Sequence, residues 1–469
     1  MDFLQNRTGL YTDHYELTMA QGYYLSGMQG IRVIFDYFFR KNPFNGGYVV
    51  FCGLTELMDA LKKFSYDKES TDYLDRIGFN HEFLAFLENF RFQGDVSAVD
   101  EGEIVFPYEP CVSVEGNIIE AQLVETILLN ILNFESLIAT KASRMRQAAG
   151  NRLLMDFGLR RAQGLGGIHA SRAAVIGGFN NTSNVYSAMQ FGLESTGTMA
   201  HSWIQSFDDE LTAFRTFAKN FPDKCILLVD TYDTLKSGVP NAIKVGHEME
   251  KQGKKLLGIR LDSGDLAYLS KQARGLLDGA GLTYVQIVAS NQLDEHIIKS
   301  LLEQSAPIDA FGVGTSLVTG KDEGALDGVY KLCMANGHPS LKISDNKEKT
   351  TLPGKKELFR FSDTSGMFMA DGIALEEEKE IKCIHHPFDK EKSLDISRWK
   401  KEKLTKKVMA GGEVVTGVKI NGQHAGYVTQ RLGQLPEEHK RFMNPHIYKV
   451  GITGRLARLR DNLAGSSVT

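Results

Sequence analysis

Seven short apolar runs, separated by stretches of helical spacing, occupy the middle of the chain from about Leu128 onward, and no other feature restricts the fold so strongly. They are "LLMDFG", "AAVIGGF", "TGTMAH", "CILLVDTYD", "LLGIRLDSGD", "YVQIVASN" and "IDAFGVGTS". Parallel strands joined by crossover helices produce this alternation, and seven strands are close to what a closed β/α barrel needs. Each run ends in polar chemistry: Asp156; Asn180 to Asn184; His201; Asp230 and Asp233; Arg260, Asp262 and Asp265; Ser290 and Asn291; Gly314, Thr315 and Ser316. The carboxyl ends of barrel strands form one mouth, so these groups are expected to converge there. Helix capping explains one or two Asp, Asn or Ser residues in such places. A whole succession that includes Arg and His points to a shared polar site.

The flanks read differently. Residues 13 to 28 start with Asp13 as an expected N-cap and Glu16 three positions on, a capping-box pattern. Two strands around a Pro/Asn/Gly turn follow in "IRVIFDYFFRKNPFNGGYVVFCGL", then helical spacing from Thr55 to about Phe92, then short strands with glycine turns. Beyond about residue 335 the alternation stops; "SDNKEKTTLPGKKELFRF" and "RWKKEKLTKK" read as solvated loops and faces. With 469 residues, 42% of them hydrophobic, two or three structural units are expected. They are an N-terminal α/β domain (1–127), a β/α barrel (128–340) and a strand-rich segment (341–469) that returns to the N-terminal domain.

A net charge of −4 gives no basic field for nucleic acid, so an anionic ligand has to be held by local cations. The five cysteines, Cys52, Cys111, Cys225, Cys333 and Cys383, form no C-x-x-C pair and are expected as buried free thiols in a reducing, cytoplasmic setting. The first residues lack a basic region followed by an apolar one, and no run of 18 apolar residues occurs, so neither export nor a membrane partner is expected.

Three strand-end motifs carry specific chemistry. "FGVGTSL" (311–317) offers a glycine turn with backbone N–H groups and two hydroxyls to a phosphate, at the late-strand position where barrels often bind one. "GIRLDSGDL" (258–266) sets Arg260 and Asp262 two residues apart, on one side of a strand; such a pair grips a sugar phosphate or forms a plain salt bridge. "DFGLRR" (156–161) puts Phe157 beside Arg160 and Arg161, which suits a flat anionic ring.

Taken in order, "YTDHYELTMAQGY", "EGEIVFPYEP", "GTMAHSW", "DTYDT", "GIRLDSGDL", "FGVGTSL" and "NPHIYKVGITGRL" resemble nicotinate phosphoribosyltransferase nearly end to end. The resemblance implies a type II phosphoribosyltransferase fold, an irregular β/α barrel packed on a split α/β domain, and a homodimer with shared sites. It implies that nicotinate and phosphoribosyl pyrophosphate give nicotinate mononucleotide and pyrophosphate in NAD salvage. It further implies coupling to ATP hydrolysis through a phosphohistidine at His201. ATP and magnesium would enter as a substrate complex, with no tightly bound metal or prosthetic group; protein ligands for a metal stay unassigned.

Residue by residue, the resemblance implies that Phe157 and Tyr15 sandwich the pyridine ring, Tyr15 coming from the partner subunit, with Arg160, Thr182 and Ser183 also at nicotinate. Arg260 and Asp262 would hold the ribosyl substrate, and Ser290, Asn291, Gly314 and Thr315 its 5′-phosphate. Arg40, Lys41, Lys141 and Arg144 are expected at pyrophosphate or ATP. An imidazole attacks a γ-phosphoryl group when a neighbouring acid fixes its tautomer, and Asp230 is the expected acid. Nicotinamide-using relatives carry an aspartate where this chain has Ser183, and a carboxylate there would repel nicotinate. A nicotinamide-using transferase and a catalytically silent nucleotide sensor are the alternative readings.

Overall fold

Five of the seven apolar runs contribute to a parallel sheet in the computed structural model, which describes residues 7–343, 350–389, 391–415 and 423–466. The strands are β1 (Leu153–Asp156), β2 (Asn181–Thr182), β3 (Ile226–Leu228), β4 (Gly258–Leu261), β5 (Gln286–Ser290) and β6 (Ala310–Val313). Their order is β2-β1-β6-β5-β4-β3, every pairing parallel, in a curled half-barrel. β4 and β6 are buried throughout, as expected of strands covered on both faces. Leu227, Ile259, Leu261 and Ile287 pack with Phe214, Val245 and Leu277 from the crossover helices, and each such side chain contributes about 1.5–3 kcal/mol by burial.

Two expected strands are absent. "AAVIGGF" lies in the helix Gly166–Ile176 and the turn after it. Residues Ala170 to Ile176 are all buried, and a short run apolar on every side does not distinguish a buried strand from a buried helix. "TGTMAH" is irregular backbone up to His201; the bridge between Thr182 and Ser195 and the bond from Thr196 N–H to Thr182 O at 2.9 Å tie its start to the sheet. Three strand-end polar groups turn out to be caps. Asn184 accepts from Ser187 N–H, Asp233 from the N–H groups of Leu235 and Lys236, and Asp265 from Tyr268 N–H.

The chain divides into two units, residues 141–324 and residues 1–140 with 325–469. The second unit, 141–324, therefore lies inside the 128–340 interval expected for the barrel. Residues 128–140 belong to the first unit because the front of helix Glu125–Ala149 places Leu128, Ile131, Leu132 and Leu137 in its core. Strand Gly328–Ala335 pairs antiparallel with Arg32–Phe39, which puts Tyr330 opposite Tyr37, and Lys406–Ala410 pairs with Asp95–Ala98. A second six-stranded sheet is built wholly from residues 356–453.

Buried charge links the distant parts of this first unit. Arg360 holds Asp371 Oδ2 at 2.6 Å and Glu103 Oε1 at 2.5 Å, with all three side chains enclosed. Of the charge-rich stretches, residues 344–349 lie outside the described residues. Lys400–Lys403 forms a fully exposed strand. All five cysteines are free, and only Cys383 is not buried. Among the described residues, no helix is long and apolar enough to cross a membrane.

Candidate functional site

A cavity of about 550 Å³ opens in the second unit where β1, β4, β5 and β6 end, lined by Phe157, Arg160, Arg161, Arg260, Asp262, Ser290, Asn291, Gln292, Gly312, Gly314, Thr315, Ser316 and Lys321. Its framework is the Arg260–Asp262 pair. The i, i+2 spacing brings Arg260 Nη2 to Asp262 Oδ1 at 3.0 Å, while Arg260 Nε donates to Ser290 Oγ at 2.9 Å and Ser290 Oγ donates to the same Asp262 oxygen. Arg260 is 8% exposed, and these acceptors offset the cost of burying its guanidinium. Its guanidinium lies 5.5 Å from the Phe157 ring centroid. Gly312 is required under that ring: a Cβ there would meet Phe157 Cε2 at 2.4 Å.

Arg260 also fixes the segment before His201. Its Nη1 donates to Met199 O at 3.2 Å and to Thr198 Oγ1 at 3.3 Å, so a loop, rather than a strand end, delivers the imidazole. His201 opens the short helix His201–Gln205 and is 40% exposed, with Nε2 3.8 Å from Asp262 Oδ2. Its Nδ1 lies 3.0 Å from Thr231 Oγ1. This corrects the expectation for Asp230, whose Oδ2 accepts from Asp262 N–H (2.8 Å) and Ser263 Oγ (2.6 Å) and so shapes the turn beneath Asp262. The chain leaves β3 at Leu228, strand alternation ends, and Thr231 takes the place beside the imidazole. Asp230 Oδ1 is enclosed without a partner among the described residues, leaving one acceptor for an incoming donor.

Other expected residues divide between the cavity and its supports. Arg160 and Arg161 line the cavity with no ion pair of their own among the described residues. Ser183 has no hydroxyl partner among the described residues, while its N–H donates to Asp156 O at 2.8 Å. Thr182, expected at the ring, is fully buried; its hydroxyl donates to Asp156 Oδ2 at 2.7 Å and accepts from Asn184 N–H, so it is a support for Asp156. Lys141 and Arg144, expected at pyrophosphate or ATP, are buried and converge on Glu295, at 2.9 Å each. Their charge is used inside the unit, and burial of an ion pair requires that mutual compensation.

Tyr15, Arg40 and Lys41 belong to the first unit. Tyr15 is half exposed on helix His14–Leu25, Arg40 lies over the Phe38 ring at 5.7 Å, and Lys41 is exposed. Sequence reasoning missed Thr231, Ser263, Gln292 and Lys321. Thr231, Ser263 and Gln292 directly follow Asp230, Asp262 and Asn291, and that adjacency is the available signal; Lys321 lies in a turn without periodicity.

The first unit also encloses a cavity, of about 570 Å³, floored by the buried pair Lys356 Nζ–Asp36 Oδ2 at 2.8 Å. Lys356 gives its remaining protons to Leu352 O and Gly354 O, so this floor has no cation to spare. Cys52, Glu101 and Glu135 form the one group with metal-ligand spacing among the described residues. Glu101 already accepts from Gly53 N–H at 2.7 Å and Thr55 Oγ1 at 2.8 Å.

Comparison with known proteins agrees along the whole chain. Residues 10–133 match the nicotinate phosphoribosyltransferase N-terminal domain, residues 153–392 the nicotinate phosphoribosyltransferase family, and residues 355–460 the C-terminal domain of the same enzyme. The nicotinate phosphoribosyltransferase of Bacillus subtilis is 40% identical over 465 residues, covering 96% of this chain and 94% of the relative. That of Caenorhabditis elegans is 36% identical, covering 97% and 93%. The crystal structure of human nicotinic acid phosphoribosyltransferase superposes with a TM-score of 0.86 at 28% identity, covering 96% of this chain and 99% of that one. A curled parallel sheet, a cavity framed by Arg260, Asp262 and Ser290, and these matches from residue 10 to residue 460 have one common account: the chain belongs to the nicotinate phosphoribosyltransferase family.

Proposed function

We propose that the second-unit cavity joins nicotinate to the ribosyl carbon of phosphoribosyl pyrophosphate, with ATP hydrolysis coupled through phosphorylation of His201. The observation that carries this reading is the approach of His201 to Asp262, which with Arg260 lines a cavity that also holds Arg160 and Arg161, neither with an ion pair among the described residues. Arg160 and Arg161 supply charge for the nicotinate carboxylate, and the neutral Ser183 hydroxyl favours that carboxylate over a carboxamide. The pyridine nitrogen gives its lone pair to the anomeric carbon, and the bond from that carbon to pyrophosphate breaks, the electron pair leaving with pyrophosphate. Asp262 supports the positive charge that develops on the ribosyl ring, as a fixed carboxylate held by Arg260 and Ser290.

In the tautomer that carries its proton on Nδ1, toward Thr231 Oγ1, His201 keeps the Nε2 lone pair on the Asp262 side. That nitrogen attacks the γ-phosphorus of ATP, ADP leaves, and water later cleaves the phosphorus–nitrogen bond. ATP enters with magnesium as a substrate complex. The working form is a homodimer in the cytoplasm, with Tyr15 of one subunit stacking in the other subunit's site. Exposed Leu165, Val185, Tyr186 and Met189 on the second unit support an interface between copies, since such apolar groups cluster at contact surfaces. The free thiols support a reducing compartment.

The test is product analysis with nicotinate or nicotinamide, phosphoribosyl pyrophosphate, and γ-labelled ATP present or absent. Nicotinate mononucleotide should form, faster with ATP, and the protein should carry an acid-labile, base-stable label that His201→Ala abolishes. Turnover of nicotinamide alone, or a label that persists in His201→Ala, would overturn the reading.

A further inference from the structure

The neutral groups expected at the 5′-phosphate, namely Ser290, Asn291, Gly314 and Thr315, bring no positive charge to a group that is nearly a dianion. Arg260 has one N–H left to give it, because four of its five already face Ser290, Thr198, Met199 O and Asp262. Lys141 and Arg144 are buried on Glu295. Lys321 remains on this wall. It lines the cavity beside Gly314, Thr315 and Ser316, and its side chain is 50% exposed.

Its backbone is fixed while its ammonium is held loosely. Lys321 N–H donates to Ser316 O at 3.1 Å, across a turn in which Gly320 has φ 56°, so the α-carbon is anchored to the end of the 315–318 helical turn. The ammonium meets Asp294 Oδ2 at 3.1 Å. Asp294 caps helix Glu295–Glu303 through its other oxygen, accepting from His296 N–H at 3.1 Å and Ile297 N–H at 2.9 Å. The carboxylate therefore keeps two backbone donors when the lysine leaves. Asp294 is itself buried, but the ammonium is half-exposed and solvent screens its side of the pair, so a phosphate dianion competes with this single carboxylate oxygen for it. The hydrogen bond to Asp294 holds the lysine above its ordinary value, so it is cationic at any working pH.

We infer that Lys321 is the phosphate-binding cation of this cavity, resting on Asp294 in the free protein and turning its ammonium to the 5′-phosphate of the bound ribosyl substrate. This rests on the proposed function for the identity of the substrate, but the phosphate contact itself is testable without turnover. Ribose 5-phosphate titrated calorimetrically into the full chain is the probe.

Lys321→Ala should weaken its binding by about tenfold or more, Lys321→Arg should restore most of it, and Asp294→Asn, which keeps the capping oxygen and removes the competing charge, should tighten it severalfold. In kinetics, the KM for phosphoribosyl pyrophosphate should rise with Lys321→Ala by a similar factor while the KM for nicotinate stays within about twofold. Binding of ribose 5-phosphate to Lys321→Ala within about twofold of the parent, or an Asp294→Asn variant that fails to bind more tightly, overturns the assignment. Ribose 5-phosphate binding that follows these variants in a protein that makes no nicotinate mononucleotide would instead reject the proposed function and keep Lys321.

Discussion

Arg260 is the residue through which three separate segments become one site. Its donors reach Ser290 at the end of β5, the backbone before His201, and Asp262 beyond β4. Asp262 in turn presents its second oxygen toward the imidazole, 3.8 Å from Nε2. Replacing Asp262 by Asn preserves shape, removes the charge, and puts an NH₂ group where an acceptor stood. Turnover should fall at least about tenfold, equivalent to about 1.4 kcal/mol of transition-state stabilisation. Steady-state kcat and KM for both substrates check this; unchanged values would reduce Asp262 to a structural partner of Arg260.

Between elements, the contact of helix His14–Leu25 with helix Glu125–Ala149 depends on one proton. Asp13 stands at the N-cap but makes no side-chain cap bond, and Glu16 does not close a capping box. Instead Thr126 Oγ1 lies 2.5 Å from Glu16 Oε1 and 3.1 Å from Asp13 Oδ2. Thr126 has one hydroxyl proton for these two carboxylates, so the contact crowds acceptors around Glu16. Burial, reinforced by Glu125 and Asp13, pushes the Glu16 carboxyl up to about 7, against the opposing bonds from Thr12 and Thr126.

Because the folded value lies above the ordinary carboxyl value, the fold binds this proton more tightly than the unfolded chain. The contribution is fully present below about pH 4.5 and is lost as pH rises through about 7, a change on the order of 3 kcal/mol. Glu16→Gln keeps a neutral donor in place. Its melting temperature should therefore be flatter than the parent's between about pH 5 and pH 8 in thermal denaturation scans. Parallel profiles would mean that Glu16 is ionised in the fold.

For the whole molecule, the proposal of a site shared between subunits predicts subunit complementation. Tyr15 belongs to the unit formed by residues 1–140 and 325–469, and His201 to the other. Tyr15→Ala and His201→Ala, each inactive alone, should recover activity when mixed and allowed to exchange. About half of randomly formed dimers are mixed, and each has one intact site of two, so recovery should approach about a quarter of the parent's rate. Mass measurement must first show the heterodimer. No recovery from verified heterodimers would mean that each site is complete within one chain.

Local pattern by itself determined the parallel sheet of the middle segment, because a strand covered on both faces must be an apolar run and the chain must turn polar where it leaves the sheet. It also determined the Arg260–Asp262 pair, since residues two apart on a strand point the same way whatever surrounds them. It did not determine that 166–176 is a helix, because burial on every side erases the period that separates helix from strand. Nor did it determine that Thr231 rather than Asp230 meets His201, that Lys141 and Arg144 face Glu295, or that Lys321 reaches the cavity. Each of those depends on which distant segment arrives at a given side chain. Partner identity is a property of the assembled core, where a buried charge must meet its counter-charge, and neighbouring sequence carries no record of it.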